Sequence, residues 1–312
     1  MAGPQTQKDH CEQLLISVVI PAYNYAHTLP RAVRSVLPQL QASAAELLVI
    51  DDGSTDNTRA VLDSLLAEAG TNMRVIYKEN GGPASVRNLG IAQTWGRYLL
   101  FLDADDELLP DALQQLVAHI GRYPDARMII GEHCSVSADG RQRRHPVHPL
   151  PETAYARVRA YLLDKTIALS NGACAMHRDV FAAGNYPEAL RSSEDIPVFA
   201  QALARYSCSV LNHPLALIHK HDTSLRHSLI HARTAPLRLV DEVFAESRMP
   251  ASMQVFKRPF AAQRCLSLFR TFQSAGALHE ARHFYREALR YDWKVIFNWS
   301  YTRKLLRSIW RV

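Results

Sequence analysis

Long apolar runs are missing from this chain: no segment approaches the roughly 18 uninterrupted apolar residues expected of a membrane-crossing helix. The opening stretch, Met1 to Gln13, is polar and lacks the apolar core of a secretory signal peptide, so none is expected. Cysteine is scarce and scattered. Cys11, Cys134, Cys174, Cys208 and Cys265 are odd in number and form no C-x-x-C pair, which argues against a disulfide framework and against a cysteine zinc site. A reducing cytoplasm is the expected compartment.

What is present is a core-forming composition, 47% hydrophobic over 312 residues, enough for one large α/β domain with a helical appendage. The net charge of +6 conceals an asymmetry. Residues 1–225 sum to −4, whereas residues 226–312 carry sixteen Lys and Arg against six Asp and Glu, a net +10. The expected organisation is a polar segment over 1–13, an α/β unit over 14–227 and a basic helical region over 228–312.

Leu14 to Ile20 is a continuous β-branched and apolar run closed by Pro21. Leu47 to Ile50, Met73 to Tyr77, Tyr98 to Leu102 and Met128 to Ile130 resemble it. Runs without alternation suit strands buried on both faces of a mostly parallel sheet. Helical patterns over His27–Leu40, Thr55–Ala69 (Ser54 or Thr55 as cap), Gly82–Trp95 and Pro110–Arg122 lie between them. That βαβ order predicts a doubly wound sheet. Ser137–Glu152 reads as a long polar loop or irregular hairpin, Ala168–His177 and Ser207–Ile218 as further strands, and Ile196–Arg205 as a helix between those two. From about Ser228 the periodicity is helical. Gly276–Arg290 resembles half of a tetratricopeptide-type hairpin, but one copy does not make a repeat array.

Two acidic signatures close two of the strand patterns: Asp51-Asp52-Gly53-Ser54 and Asp103-Ala104-Asp105-Asp106. Open α/β sheets bind ligands beyond the carboxyl ends of their strands, and carboxylates gathered there can hold a divalent cation against phosphate oxygens. The one-residue gap between Asp103 and Asp105 points both side chains the same way along an extended chain. Taken alone, Asp51 to Ser54 is equally a turn followed by a helix cap.

Four segments in order resolve that ambiguity. Ser17 to Asn24, Val49 to Thr58, Asn80 to Gly90 and Phe101 to Asp106 resemble the family 2 inverting glycosyltransferases of GT-A fold, of the bacterial cell-surface polysaccharide type, over roughly Ile16 to Asp222. The resemblance implies an α/β GT-A fold with a C-terminal α-helical extension, and a nucleoside diphosphate sugar as donor. Pro21, Ala22, Tyr23 and Asn24 would line the nucleoside, and Asp52 would accept the pyrimidine ring N–H, a donor that uracil and thymine offer and cytosine lacks. Gly81, Gly82 and Arg87 fall in the donor pocket, with a glycine turn and an exposed arginine as the bland alternative. Asp103 and Ala104 would meet the ribose or the cation's surroundings, and Asp105 would ligate Mn²⁺ or Mg²⁺. Glu194-Asp195 corresponds to the acidic pair that supplies the base, with Asp195 as base and Glu194 as its support; two acids at a helix N-terminus are also common for the dipole alone. Asn171 and Gly172 would border acceptor and donor sugar. His221 aligns with a late family segment and would complete the metal shell or touch the diphosphate.

The acceptor expected from this resemblance is a saccharide or lipid-linked hydroxyl. A polyprenyl-phosphate sugar synthase, whose acceptor needs no general base, and a non-catalytic sugar-nucleotide-binding scaffold are the rivals. A nucleotidyltransferase is set aside because Pro21-Ala22-Tyr23-Asn24 stands where its Gly-rich basic loop would be. In the tail, Arg303, Lys304, Arg307 and Arg311 fall on one quarter of a helix, with Trp299, Leu305, Leu306, Ile309 and Trp310 mostly opposite. That pattern suits an anionic membrane surface, so the protein would be cytoplasmic and peripheral on the inner face of the plasma membrane. A core-packing helix with a solvated edge explains it as well, whereas nucleic acid would explain the charge alone and is not expected as a partner.

Overall fold

The structure, a computed structural model, describes residues 14–220 and 236–309, with side chains through Leu305. Its centre is a nine-stranded sheet of order β3-β2-β1-β4-β8-β6-β9-β5, with β7 added on β6. The strands are β1 (Ile16–Ala22), β2 (Ala45–Asp51), β3 (Met73–Tyr77), β4 (Tyr98–Phe101), β5 (Glu107–Leu108), β6 (Met128–Val136), β7 (Gln142–His145), β8 (Cys174–His177) and β9 (Cys208–His219). The helices are α1 (Leu29–Val36), α2 (Thr58–Ala69), α3 (Pro83–Gln93), α4 (Ala112–Arg122), α5 (Ala154–Arg159), α6 (Asp195–Arg205), α7 (Arg238–Val243), α8 (Lys257–Ser274), α9 (Leu278–Tyr291) and α10 (Trp299–Ile309).

The unalternating apolar runs are explained by burial on both faces. Along β1, Ile16, Val18 and Ile20 pack into a cluster with Leu29, Val33, Leu62, Leu65, Leu113 and Leu116 of α1, α2 and α4. Val19 points the other way, with Leu48, Ile50, Phe101, Val198 and Phe199, into a cluster shared with α6 and α7. At about 1.5–3 kcal/mol for each large side chain taken fully from water, these two layers are the main favourable term of the fold.

β3, β2, β1 and β4 run parallel. Beyond β4 the sheet is mixed: β8 is antiparallel to both β4 and β6, while β6 and β9 are parallel. The expected mostly parallel sheet therefore describes the N-terminal half only. An apolar run records burial and carries no strand direction, so the reversal at β8 left no trace in the pattern. β9 carries Pro214, which has no N–H to give; it sits where the β6–β9 register slips, between Gly131 and His133, a bulge that tolerates it. The 137–152 stretch is a hairpin arm, β7, followed by a loop.

The cap expected at Ser54 or Thr55 lies elsewhere. α2 starts at Thr58, and Asp56 Oδ1 accepts from the Thr58 amide at 3.0 Å and from its hydroxyl at 2.6 Å. Ser54 and Thr55 are engaged by the loop that follows β1, as described below.

At the C-terminal side α8 spans two cores. Phe260 and Ala261 belong to the cluster shared with α6 and α7, whereas Cys265, Leu268, Phe269 and Phe272 pack with Phe284, Tyr285 and Ala288 of α9. No described helix is long and apolar enough to cross a membrane.

Candidate active site

The connection order places β1 between β2 and β4, so the chain leaves β1 toward β2 on one side and returns to β4 on the other. Such a reversal opens a crevice at the carboxyl ends of the strands. The loops after β1, β2 and β4 converge there.

Asn24, in the left-handed region at φ 60°, binds the first two loops together. Its amide donates to Ser54 Oγ at 2.9 Å, and its Oδ1 accepts from the Thr55 and Asp56 amides at 2.8 and 3.3 Å. The Ala26 amide donates to Asp56 Oδ2 at 3.2 Å. Asn24 thus shapes the crevice wall, with its side-chain oxygen turned into the protein. Pro21 is half-buried, Ala22 is buried, and Tyr23 stands exposed at the lip.

Asp52 is buried and organises the glycine turn. Its Oδ1 accepts from Lys78 Nζ at 2.6 Å and from the Gly81 amide at 2.9 Å, and its Oδ2 accepts from the Gly82 amide at 2.7 Å. Charge-assisted bonds of this kind are about twice as strong as neutral ones. Gly82 has φ 86°, so the backbone shape requires glycine, and a Cβ there would also push aside the end of the Arg191 side chain, 2.3 Å away at Nη1. Lys78 and Arg191 were not found from sequence. Lys78 could have been, since it directly follows β3; Arg191 has no local signature.

After β4 the pattern of exposure follows the expected alternation. Asp103 and Asp105 are half-exposed, and Ala104 and Asp106 are buried. Asp106 Oδ1 accepts from the His219 amide at 2.8 Å, and its carboxyl is pushed up to about 8 by burial and by the charges of Asp103 and Asp105. Tyr25, also missed by sequence, hydrogen-bonds Asp105; its hydroxyl is pushed up to about 12 by burial and then by Asp105, Asp103 and Asp106. Arg31 Nη2 donates to the Asp105 carbonyl at 2.6 Å and so fixes this turn from α1.

This concentration of negative charge fits a divalent cation. Asp103 and Asp105 are the half-exposed carboxylates of this turn. Among the described residues no three His, Cys, Asp or Glu side chains form a ready-made cage, so a cation held here would take further oxygens from its ligand, the usual habit of Mg²⁺ with phosphates. His221 lies outside the described residues.

Arg87 connects the acidic turn to the second acidic pair. It is buried, against the alternative of an exposed arginine. Its Nη2 donates to Asp103 Oδ1 at 2.9 Å, its Nη1 to Glu194 Oε1, and its guanidinium lies 5.5 Å from the Tyr186 ring centroid. Burial opposes the charge of Arg87, but Asp103 and Glu194 more than offset it and hold the group protonated. Asp195 opens α6. Its carboxyl is raised to about 6 by burial and by Glu194, while Arg87 pulls in the opposite direction. An acid tuned toward neutrality at a cleft suits proton transfer.

Asn171 and Gly172 lie beside the end of β4. A Cβ on Gly172 would meet Ala216 Cβ at 3.2 Å and Leu102 Cδ1 at 3.4 Å, so that glycine is a packing position. Asn171 is buried with no hydrogen-bond partner for Oδ1.

Residues 17–184 match the model of glycosyl transferase family 2. The chain belongs to glycosyl transferase family 2. Its fold is GT-A: it superposes on TarS of S. aureus, solved in complex with UDP-GlcNAc, with a TM-score of 0.65, 19% identity and coverage of 95% of this chain and 89% of that one. Among curated proteins, this family 2 chain is 44% identical over 102 residues to an uncharacterized glycosyltransferase of Nostoc sp., covering 33% of this chain and 31% of that protein. It is 34% identical to the glycosyltransferase GlyG of Streptococcus pneumoniae, over 38% and 39% of the two. It is 29% identical to the succinoglycan biosynthesis protein ExoO of Rhizobium meliloti, over 61% and 56%. The matches to the first two span 31 and 39% of those proteins.

Proposed function

We propose that this glycosyltransferase transfers one sugar, with inversion and with the help of Mn²⁺ or Mg²⁺, from a uridine or thymidine diphosphate sugar to a hydroxyl of a growing saccharide or lipid-linked glycan. The observation that carries the reading is Asp195, raised to about 6 at the head of α6 and tied through Glu194 and Arg87 to Asp103. One charged network joins the acid–base group to the acidic turn, so the two ends of a displacement are held in fixed relation.

In this reading the acceptor oxygen attacks the anomeric carbon as the bond to the diphosphate oxygen breaks, and Asp195 takes the hydroxyl proton. Asp105 and Asp103 hold the cation, which when bound neutralises charge on the departing diphosphate. Asp52 serves the donor by holding the Gly81–Gly82 turn in shape, and its remaining acceptor capacity is offered to the pyrimidine N–H. Pro21, Ala22, Tyr23 and Asn24 form the nucleoside wall. Asn171 presents its Oδ1 to a sugar hydroxyl. Residues 14–227 are the catalytic unit and 228–312 the helical region. TarS was solved with UDP-GlcNAc and with UDP, and ExoO is a succinoglycan biosynthesis protein; these relatives support a nucleotide-sugar donor and a polysaccharide product.

A thermal-shift panel of nucleoside diphosphates with Mn²⁺, followed by turnover of the corresponding sugars, tests the proposal. UDP or dTDP should raise the melting midpoint more than CDP does. Asp195→Asn should keep donor binding and lose transfer by roughly 100- to 10,000-fold. An Asp195→Asn enzyme that retains most of its activity would instead indicate a lipid-phosphate acceptor that needs no base.

A further inference from the structure

Ten large hydrophobic side chains are exposed among the described residues, and four of them fall within positions 293–299. Trp293, Ile296, Phe297 and Trp299 are 64, 49, 74 and 66% exposed. Their exposure is imposed by the structure. Val295, 7% exposed, packs inward with the α8–α9 cluster, so its neighbours on the tight 293–297 turn must point out. Asp292 Oδ1 accepts from the Lys294 amide at 3.0 Å, and the Asn298 amide donates to the Val295 carbonyl at 2.9 Å. Beyond the turn, Thr302 Oγ1 hydrogen-bonds the Tyr285 hydroxyl at 2.6 Å and the Tyr301 ring packs 6.0 Å from Phe269. The turn is therefore pinned from both sides. Trp293 and Phe297 meet edge to face at 5.7 Å, which merges them into one apolar patch.

Cationic side chains accompany the patch along the chain, Lys294 within the turn and Arg303 one helical turn beyond Trp299. Lys294, Arg303 and Lys304 are exposed, in a region, 226–312, whose net charge is +10. The division of labour differs from the one the helical wheel gives. Leu305 and Tyr301 pack against the α8–α9 cluster, so that face of α10 is a packing face, and among the described side chains the free apolar surface is the 293–297 turn together with Trp299 at the head of α10.

We infer that residues 293–299, with Lys294, Arg303 and Lys304 beside them, form a docking surface for an anionic lipid bilayer. Aromatic rings on a rigid turn are suited to the boundary between headgroups and acyl chains. Basic side chains next to them gain from the negative surface potential within a Debye length, about 8 Å at physiological ionic strength. A second copy of the chain fits the surface worse, because a two-fold contact would set the same three cations against each other. Nucleic acid would satisfy the cations and leave Ile296 and the rings facing water. The inference concerns how the protein is placed, and it stands whether or not the reading of the donor site does.

The test is co-sedimentation of the full chain with vesicles of phosphatidylcholine alone and of phosphatidylcholine with phosphatidylglycerol, at low and high salt. The full chain is expected to pellet with the anionic vesicles at low salt, with release by high salt and a blue shift of tryptophan emission. Trp293→Ser with Phe297→Ser, and separately Lys294→Ser with Arg303→Ser and Lys304→Ser, should each lower the partition coefficient by at least about tenfold. All these positions are exposed, so the thermal midpoint should not move; it is measured alongside. The inference is overturned if the full chain stays in the supernatant with anionic vesicles at low salt, or if the aromatic variant binds like the parent. It is equally overturned if the surface retains an oligonucleotide, or mediates a concentration-dependent dimer, without any vesicle binding.

Discussion

Asp195 and Glu194 are adjacent carboxylates in different electrostatic surroundings. Glu194 is paired with the buried Arg87, whereas Asp195 is raised to about 6 by burial and by the charge of Glu194. If Asp195 works as the base, only its ionised form is active, so kcat/KM should rise about tenfold per pH unit below 6 and level off above it. Glu194→Gln removes a negative neighbour and frees Arg87 to act on Asp195. Both changes favour the carboxylate, so the acid limb should move to lower pH even as the maximal rate falls. A limb that stays in place or moves upward in the pH–rate profile of that variant would exclude this electrostatic coupling. At Gly82, substitution by Ala puts a Cβ at φ 86° and against Arg191. The expected result is weaker donor binding, by about 1–3 kcal/mol from the strain and the displaced turn, read by calorimetry with UDP. Unchanged affinity would mean that the Asp52-held turn is not part of the donor pocket.

At the scale of elements, the sequence disclosed the site better than the architecture that carries it. The strands ending in Asp51 and Phe101 were legible because burial on both faces leaves unbroken apolar runs, and the acidic turns follow them directly. Pairing direction was not legible, as β8 shows, since a reversal changes partners without changing burial. Arg87 was legible as a position but not as a buried hub, because its two carboxylate partners lie 16 and 107 residues away. The end of the sheet opposite the crevice shows the same limit. Ser17 Oγ donates to Glu46 Oε1 at 2.7 Å and accepts from the Gly96 amide at 2.8 Å, and the Trp95 amide donates to Glu46 Oε1 at 2.6 Å. This network closes the β4 entry over β1. A Cβ at position 96 would lie 2.5 Å from the Ser17 amide nitrogen, which is backbone and cannot swing aside. Gly96→Ala should therefore cost at least about 1–3 kcal/mol, seen as a lower denaturant midpoint at constant m. A midpoint equal to the parent's would show that the entry loop yields freely.

At the scale of the whole molecule, α8 packs into both cores and so holds the C-terminal helices against the α/β unit. Phe260 near its start packs with the cluster shared with α6 and α7, and Phe269, fully buried, packs with Tyr285 and Tyr301 at centroid distances of 5.6 and 6.0 Å. Gln263 Nε2 adds a bond to the Leu163 carbonyl at 2.8 Å, between the two clusters. Removing either phenylalanine ring should cost about 3–5 kcal/mol where it packs, but the consequences should be distributed differently. Phe269→Ala opens a cavity wholly within the α8–α9–α10 cluster, so amide protection should fall in those helices while β1 to β4 keep theirs, because local opening free energies follow the cooperative unit that is damaged. Phe260→Ala opens a cavity under α6 and α7, and protection should fall across the layer that holds Asp195. Hydrogen exchange on both variants decides the matter. Equal loss of protection throughout the chain in Phe269→Ala would mean that the helices and the sheet open only together, and that the two cores are energetically one.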